Sequence, residues 1–243
     1  MQEEKELSNA KRFINAYNQI DYGLRTQYNL KRSMSFSDLI RKAVLVNHIV
    51  RKYEDELIDF GRLRNAIIHG SNEDFIIAEP HYSVVEKIEK VARLVTTPPN
   101  ALESITTESV LTVEHDVTVA NVMKLMAEHS YSNLPIYKDG ILIGIANGQK
   151  ILEKIGKQLS KKTDIDVYIH QTKISELLDE ASPYKQYEVL SARATVEEVL
   201  DLYYKNRKLL AVLITKDGSL YFPPLGIITS TNVMELNNIL DNY

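Results

Sequence analysis

LPIYKDGILIGIANGQKIL at residues 134–152 and LLAVLITKDGSLYFPPLGIITSTNV at residues 209–233 are two versions of one pattern. Each runs apolar residues into Lys-Asp-Gly, resumes with apolar residues and a glycine, and ends where a helical spacing begins. The Asp-Gly pair favours the two-residue turn whose twist suits antiparallel strands. Working outward, Thr118-Val119 matches Thr195-Val196, Lys138-Asp139-Gly140 matches Lys216-Asp217-Gly218, and Gly144-Ile145 matches Gly226-Ile227. The offsets are 77, 78 and 82, so they grow only between matched elements, as loop insertions such as SLYFPP would make them grow. Strand-like stretches (Leu134–Tyr137, Ile141–Ala146, Leu209–Thr215, Leu225–Thr229) alternate with helical ones (Val119–His129, Gln149–Ile155, Val196–Asn206, Val233–Leu240). Each copy therefore reads strand, helix, strand, Asp-Gly hairpin, strand, helix. KQLSKKTDIDVYIHQT, residues 157–172, reads as a polar connector.

Upstream the periodicity is helical throughout. Phe13, Ile14, Tyr17, Ile20, Leu24 and Tyr28 mark one helix face. Ser35 or Ser37 can cap a second helix, with Leu39, Ile40, Ala43, Leu45, Val46, Ile49 and Val50 at helical spacing. The pattern continues through Leu57, Phe60, Leu63, Ile67 and Ile68 to Gly70, and Ser83–Leu94 makes a last helix. Pro98 and Pro99 break it, which sets the expected boundary: an all-α domain over 1–97 and an α/β repeat over 98–243, with copies at about 101–158 and 172–243.

Composition agrees with a multidomain globular protein. At roughly 100 to 200 residues per domain, 243 residues hold one large domain or two smaller ones, and 44% hydrophobic with 26% charged residues supports a sizeable core. With no cysteine there is no disulfide, no thiol nucleophile and no cysteine-bound metal, which fits a reducing cytoplasm. No apolar run nears the roughly 20 residues that cross a bilayer, and the polar start reads as no signal peptide. Residues 1–97 hold 15 basic and 14 acidic side chains, residues 98–243 hold 14 and 19, so the halves carry +1 and −5. No Gly-rich phosphate loop, nucleophile turn or dinucleotide fingerprint is present, and the histidines lack metal-ligand spacing, so no metal site is expected.

The repeat resembles a tandem pair of CBS domains over roughly residues 101–243. The resemblance implies two copies packed through their sheets with pseudo-twofold symmetry and two clefts that often hold adenine nucleotides (AMP, ADP, ATP or related). The family's recurring element is a glycine on the last strand, then Thr or Ser, then Asp three residues on. The second copy keeps Gly226, Ile227, Thr229 and Ser230 but has Asn232 where Asp is usual, leaving an amide that accepts from ribose without charge. The first copy keeps Gly144 but has Asn147 and Lys150, and a lysine cannot accept from ribose. Asn232 with Glu235 also reads as a plain Asn-x-x-Glu capping box. Arg207 and Lys208 are candidate phosphate contacts, or a solvated pair at a strand start.

LRNAIIHG, residues 63–70, is the most chemically loaded segment of the first half. On a helix at about 100° per residue Asn65 and His69 lie one turn apart, with Arg64 about 140° around from His69. Arginine supplies a cationic fork for phosphate, histidine a proton carrier near neutral pH. This segment, with EPHYSVVEKIEKVARLVTTPP after it, resembles the HEPN superfamily of helical bundles over roughly residues 1–97. That resemblance implies a homodimer cutting single-stranded RNA without metal and leaving a 2′,3′-cyclic phosphate, in a defence or stress role. His69 would assist proton transfer, Arg64 would stabilise charge on phosphate, and Asn65 would position one of them. The rival expectation is a non-catalytic adenine-nucleotide sensor or adaptor in which the helical half only dimerises and His69 is a cation suited to a helix end.

Overall fold

The structure is a computed structural model that describes residues 7–69, 78–105, 109–178 and 186–243; of His69 only the backbone is described. The chain divides into two compact units. The first comprises residues 1–99 together with 196–201 and 238–243, and the second residues 100–195 and 202–237.

In the first unit α1 (Asn9–Gln27), α2 (Phe36–Ala43), α3 (His48–Lys52), α4 (Glu54–His69) and α5 (Tyr82–Thr96) pack around Phe13, Ile20, Leu24, Leu39, Leu57 and Ile88. Phe13 meets Phe60 edge to face at 5.8 Å, and Arg12 clamps Glu89 of α5 through two bonds of 2.9 and 2.8 Å. Ser35 caps α2 by accepting from the Asp38 N–H. The expected continuous helix from there to Gly70 is instead three helices. The breaks fall at 44–47 and at Tyr53; the first arises because Asn47, 3% exposed, uses its side chain to cap a new helix, accepting from Val50 N–H at 2.8 Å and donating to Tyr28 Oη at 2.9 Å. A spacing of apolar residues survives such breaks, so periodicity alone does not reveal them. Residues 196–201 belong to this unit as well, beyond the sequence boundary at 98. Glu197 and Asp201, each 5% exposed, take the His48 backbone N–H at 3.0 Å and the Arg51 guanidinium at 3.1 Å.

In the second unit each copy builds a three-stranded sheet with its first pair parallel and its second antiparallel. The first is β1 (Val113–Glu114), β2 (Asn133–Lys138) and β3 (Ile141–Asn147); the second is β4 (Tyr187–Ser191), β5 (Ala211–Thr215) and β6 (Gly226–Thr229). Between and after the strands run α6 (Val119–His129), α7 (Gly148–Ser160), α8 (Ile165–Gln171), α9 (Val196–Lys205) and α10 (Val233–Asn242), the start of α9 and the end of α10 being counted with the first unit. Tyr137, Leu142 and Ile145 of one copy share a core with Ala211 and Leu213 of the other. Fully burying such a side chain stabilises by roughly 1.5–3 kcal/mol.

Two expectations need correcting. The connector 157–172 is largely helical: α7 reaches Ser160, and α8 is capped by Asp164 and lays Ile165, Tyr168 and Ile169 on the first copy's core. Those apolar residues are spaced among charges that hid them. The Asp-Gly hairpin forms only in the first copy, where Asp139 and Gly140 both take left-handed angles, φ 50° and 76°. In the second copy only Gly218 does (φ 85°), and Thr215 Oγ1 accepts its N–H at 3.0 Å while the chain runs on to Gly226. The inserted SLYFPP makes that turn a long loop.

Candidate functional site

At the end of β6 the chain passes through one 3₁₀ turn, Ser230–Asn232, into α10. Asn232 Oδ1 accepts the Thr229 N–H at 2.9 Å and lies 3.3 Å from Thr229 Oγ1, which also pairs with Thr231 Oγ1 at 2.7 Å. The capping box is therefore Thr229-x-x-Asn232, three residues before the expected Asn232-x-x-Glu235. The reason is that the 3₁₀ turn moves the true cap back to Thr229. A backbone N–H can only donate, so it fixes the amide with Oδ1 toward the chain and leaves Nδ2 as a donor.

This turn forms one wall of a cleft of about 630 Å³ inside the second unit. Gly226, Ile227, Thr229, Ser230 and Asn232 all line it. The facing wall comes from the first copy: Ile105, Ser109 and Leu111 before β1, Ser130, Tyr131 and Ser132 between α6 and β2, and Asn133 and Leu134 at the start of β2. Ser130 closes α6 in a left-handed conformation (φ 56°), and the Tyr131 ring stacks on His129 with centroids 5.8 Å apart and planes 15° apart. The volume falls within the range of small-molecule sites, about 300–1,000 Å³.

Arg207 and Lys208, expected beside these residues, do not line the cleft. The Gly226 cleft joins the glycine strand of the second copy to the helix-to-strand turn of the first. In the repeat register Lys208 is the counterpart of Ser130, which does line the Gly226 cleft. Lys208 donates its N–H to Asn206 Oδ1 at 3.0 Å, in the turn that leads into β5. Sequence reasoning missed the facing wall. Its signal was the polar run His129-Ser130-Tyr131-Ser132-Asn133, a hydroxyl-rich turn where the second copy has Arg207-Lys208.

The matching position of the first copy is shut. A Cβ on Gly144 would stand 2.5 Å from Leu178 Cδ2, so the Leu178 side chain occupies the space the glycine leaves. About 10 Å³ remains beside Ile145, Asn147, Lys150 and Leu178, room for about one water and far too little for a nucleoside. Asn147 caps α7: Oδ1 accepts the Lys150 N–H at 3.1 Å and Nδ2 donates to Asn133 Oδ1 at 2.8 Å.

In the first unit, Arg64 and Asn65 of α4 line a separate cleft of about 380 Å³ with Tyr17, Arg25, Ser35 and Arg62. Arg64 Nη1 donates to Asn65 Oδ1 at 3.2 Å, its guanidinium lies 5.7 Å from the Tyr17 ring centre, and its buried Nε has no partner among the described residues. Arg25 is held bidentate by Asp21 at 2.8 and 2.7 Å, and Arg62 pairs with Asp59 at 2.8 Å. Burial, reinforced by Asp21 and opposed by Arg64 and Arg25, pushes the Tyr17 phenol up to about 12. The His69 side chain lies outside the described residues. Among the described residues no group of three or more His, Asp or Glu side chains could hold a metal ion, and no helix is long and apolar enough to cross a membrane.

Comparison with known proteins gives this arrangement a partial context. The family model for the CBS domain matches residues 102–157. A search of the curated proteins finds no relative. Solved structures similar to the chain include the CBS domain of a CBS domain containing membrane protein from Sphaerobacter thermophilus, at 19% identity and TM-score 0.44 over 57% of this chain and 88% of that one. Others are the CBS domain of a bacterial CNNM/CorC family Mg²⁺ transporter in complex with ATP (18%, 0.43, 62% and 94%) and a CBS domain pair in complex with 5′-methylthioadenosine and S-adenosyl-L-methionine (16%, 0.42, 60% and 98%).

Proposed function

We propose that the chain is a non-catalytic sensor or adaptor that holds one adenine-type ligand in the Gly226 cleft, with a helical half that pairs two copies into a homodimer. One observation carries this reading. The residues that resemble a nucleotide-binding element, Gly226, Ile227, Thr229, Ser230 and Asn232, converge on a cleft of about 630 Å³, and the repeat they belong to contains a CBS-family match. The hydroxyls of Thr229 and Ser230 and the first N–H groups leading into α10 supply donors, and Tyr131 offers an aromatic face across the cleft. Calorimetry and thermal unfolding with AMP, ADP, ATP and S-adenosyl-L-methionine test it. One ligand per chain and a raised Tm are expected, about 2.7 kcal/mol of added stability at a hundred times Kd. No heat and no shift with any of them ends the reading.

A second reading rests on the buried Nε of Arg64, which has no partner among the described residues, in a cleft it shares with Asn65. It makes the helical half a metal-independent endoribonuclease acting on single-stranded RNA as a homodimer, regulated through the CBS-like pair. Arg64 meets phosphate, His69 carries the proton and Asn65 orients Arg64. Labelled RNA incubated in chelator with the protein, with Arg64→Ala and with His69→Ala decides it. Cleavage lost in both variants supports it, and RNA left intact by the unmodified chain, with and without adenine ligands, removes it.

A further inference from the structure

The polar side chains described along the Gly226 cleft are all neutral. Among the described residues that line it there is no Asp, Glu, Lys, Arg or His. Its polar groups are serine and threonine hydroxyls, the amides of Asn133, Asn147 and Asn232, and backbone. The cations that a phosphate chain would seek stand elsewhere: Arg207 and Lys208 do not line the cleft, and Lys150 borders the shut cleft instead. The surrounding half of the chain, residues 98–243, carries 14 basic against 19 acidic side chains, so the wider field also disfavours an anion.

Resting on the sensor reading above, we infer that the cleft selects an uncharged purine nucleoside, adenosine or a 5′-substituted neutral relative, over nucleoside di- and triphosphates. The argument is one of desolvation. A triphosphate brings several negative charges that lose water on entering a partly enclosed site, and hydrogen bonds from neutral hydroxyls return roughly half of what charged donors would. A ribose and a purine edge lose only neutral hydrogen bonds, and the hydroxyl and amide groups present replace those in kind. Asn232 fits this assignment. With Oδ1 held by the Thr229 N–H, it presents Nδ2 as a neutral donor to a ribose hydroxyl oxygen, where a carboxylate would require the hydroxyl to donate.

Calorimetry on the full chain without divalent cations, using adenosine, 5′-methylthioadenosine, AMP, ADP and ATP, tests this. Affinity falls with each added phosphate, and ATP binds at least about tenfold more weakly than adenosine. Ser109→Lys, at an exposed position lining the cleft, adds a cation there and raises the ratio of ATP to adenosine affinity by about fivefold or more at low salt. ATP binding as tightly as adenosine to the unmodified chain overturns the inference and leaves the sensor reading standing. Silence from all five ligands overturns both.

Discussion

The Gly226 and Gly144 clefts come from the same folded unit repeated, and they end in opposite states. At Gly226 the strand turns into its helix through Thr229 and Asn232, and about 630 Å³ stays open in front of them. At Gly144 the equivalent turn is sealed, with Leu178 lying where a Cβ would be and Asn147 engaged at both ends of its amide. The difference does not lie in the strands, whose order and directions are the same in both copies. It lies in what the preceding segment delivers: the 3₁₀ turn Ile174–Leu177 carries Leu178 against Gly144, whereas the stretch before β1 lines its cleft with Ser109, Val110 and Leu111. A glycine that allows close approach is filled by whatever arrives first, and in the first copy that is the chain itself.

The hardest test of this contrast fills the open cleft. Ser132 is exposed and its side chain makes no hydrogen bond among those described, so Ser132→Trp places an indole in the cleft without disturbing the core. Adenine-ligand affinity drops on the order of a hundredfold, because a drug-sized ligand and an indole cannot share the volume. Thermal unfolding without ligand moves little, which calorimetry and circular dichroism check together. Unchanged affinity places the ligand elsewhere.

How much of this was legible beforehand depends on what holds each feature. The repeat, the strands and the helices after them followed from period-two and period-3.6 patterns, and Gly226, Thr229, Ser230 and Asn232 followed from their order after a strand. Features set by a single polar side chain did not follow. Asn47 breaks a helix that apolar spacing joins, and Thr229 rather than Asn232 begins the cap, because a 3₁₀ turn leaves no periodic trace. The placement of Arg207 and Lys208 was missed for another reason. Proximity along the chain suggested their own copy's cleft, while the wall that faces Gly226 comes from the first copy. The seal at Gly144 depends on Leu178, 34 positions away, and no local pattern connects them. In the helical half, Arg64 and Asn65 line one cleft, while the expected pairing of Asn65 with His69 lies outside the described residues.

A smaller effect sharpens the account of the shut cleft. Gly144→Ala puts a methyl 2.5 Å from Leu178 Cδ2, and the crowding costs roughly 1–2 kcal/mol once the leucine has shifted. Leu178→Ala costs about the same by exposing Gly144 and Ile145 and leaving a void. Together the two cost less than their sum, since the alanine at 144 then occupies part of the space vacated at 178. Chemical denaturation of the four proteins gives the coupling. Strict additivity means that Leu178 is not what closes this cleft.

The smallest expected effect comes from giving both clefts the same carboxylate. Asn232→Asp keeps the cap, since a carboxylate oxygen accepts the Thr229 N–H as the amide does, and the added charge lies near the start of α10, where it stabilises by about 0.3–1 kcal/mol. For an uncharged nucleoside the carboxylate turns a neutral ribose bond into a charge-assisted one, and affinity rises by roughly three- to tenfold. ATP gains less or loses, because the new charge repels its phosphates. Lys150→Asp makes the equivalent change beside Gly144, yet ligand stoichiometry stays at one per chain, because Leu178 still fills the space a ribose needs. Only in Lys150→Asp combined with Leu178→Ala does a second, weak heat of binding arise. A second site from Lys150→Asp alone makes the lost acceptor, rather than the leucine, the cause of the difference between the two copies.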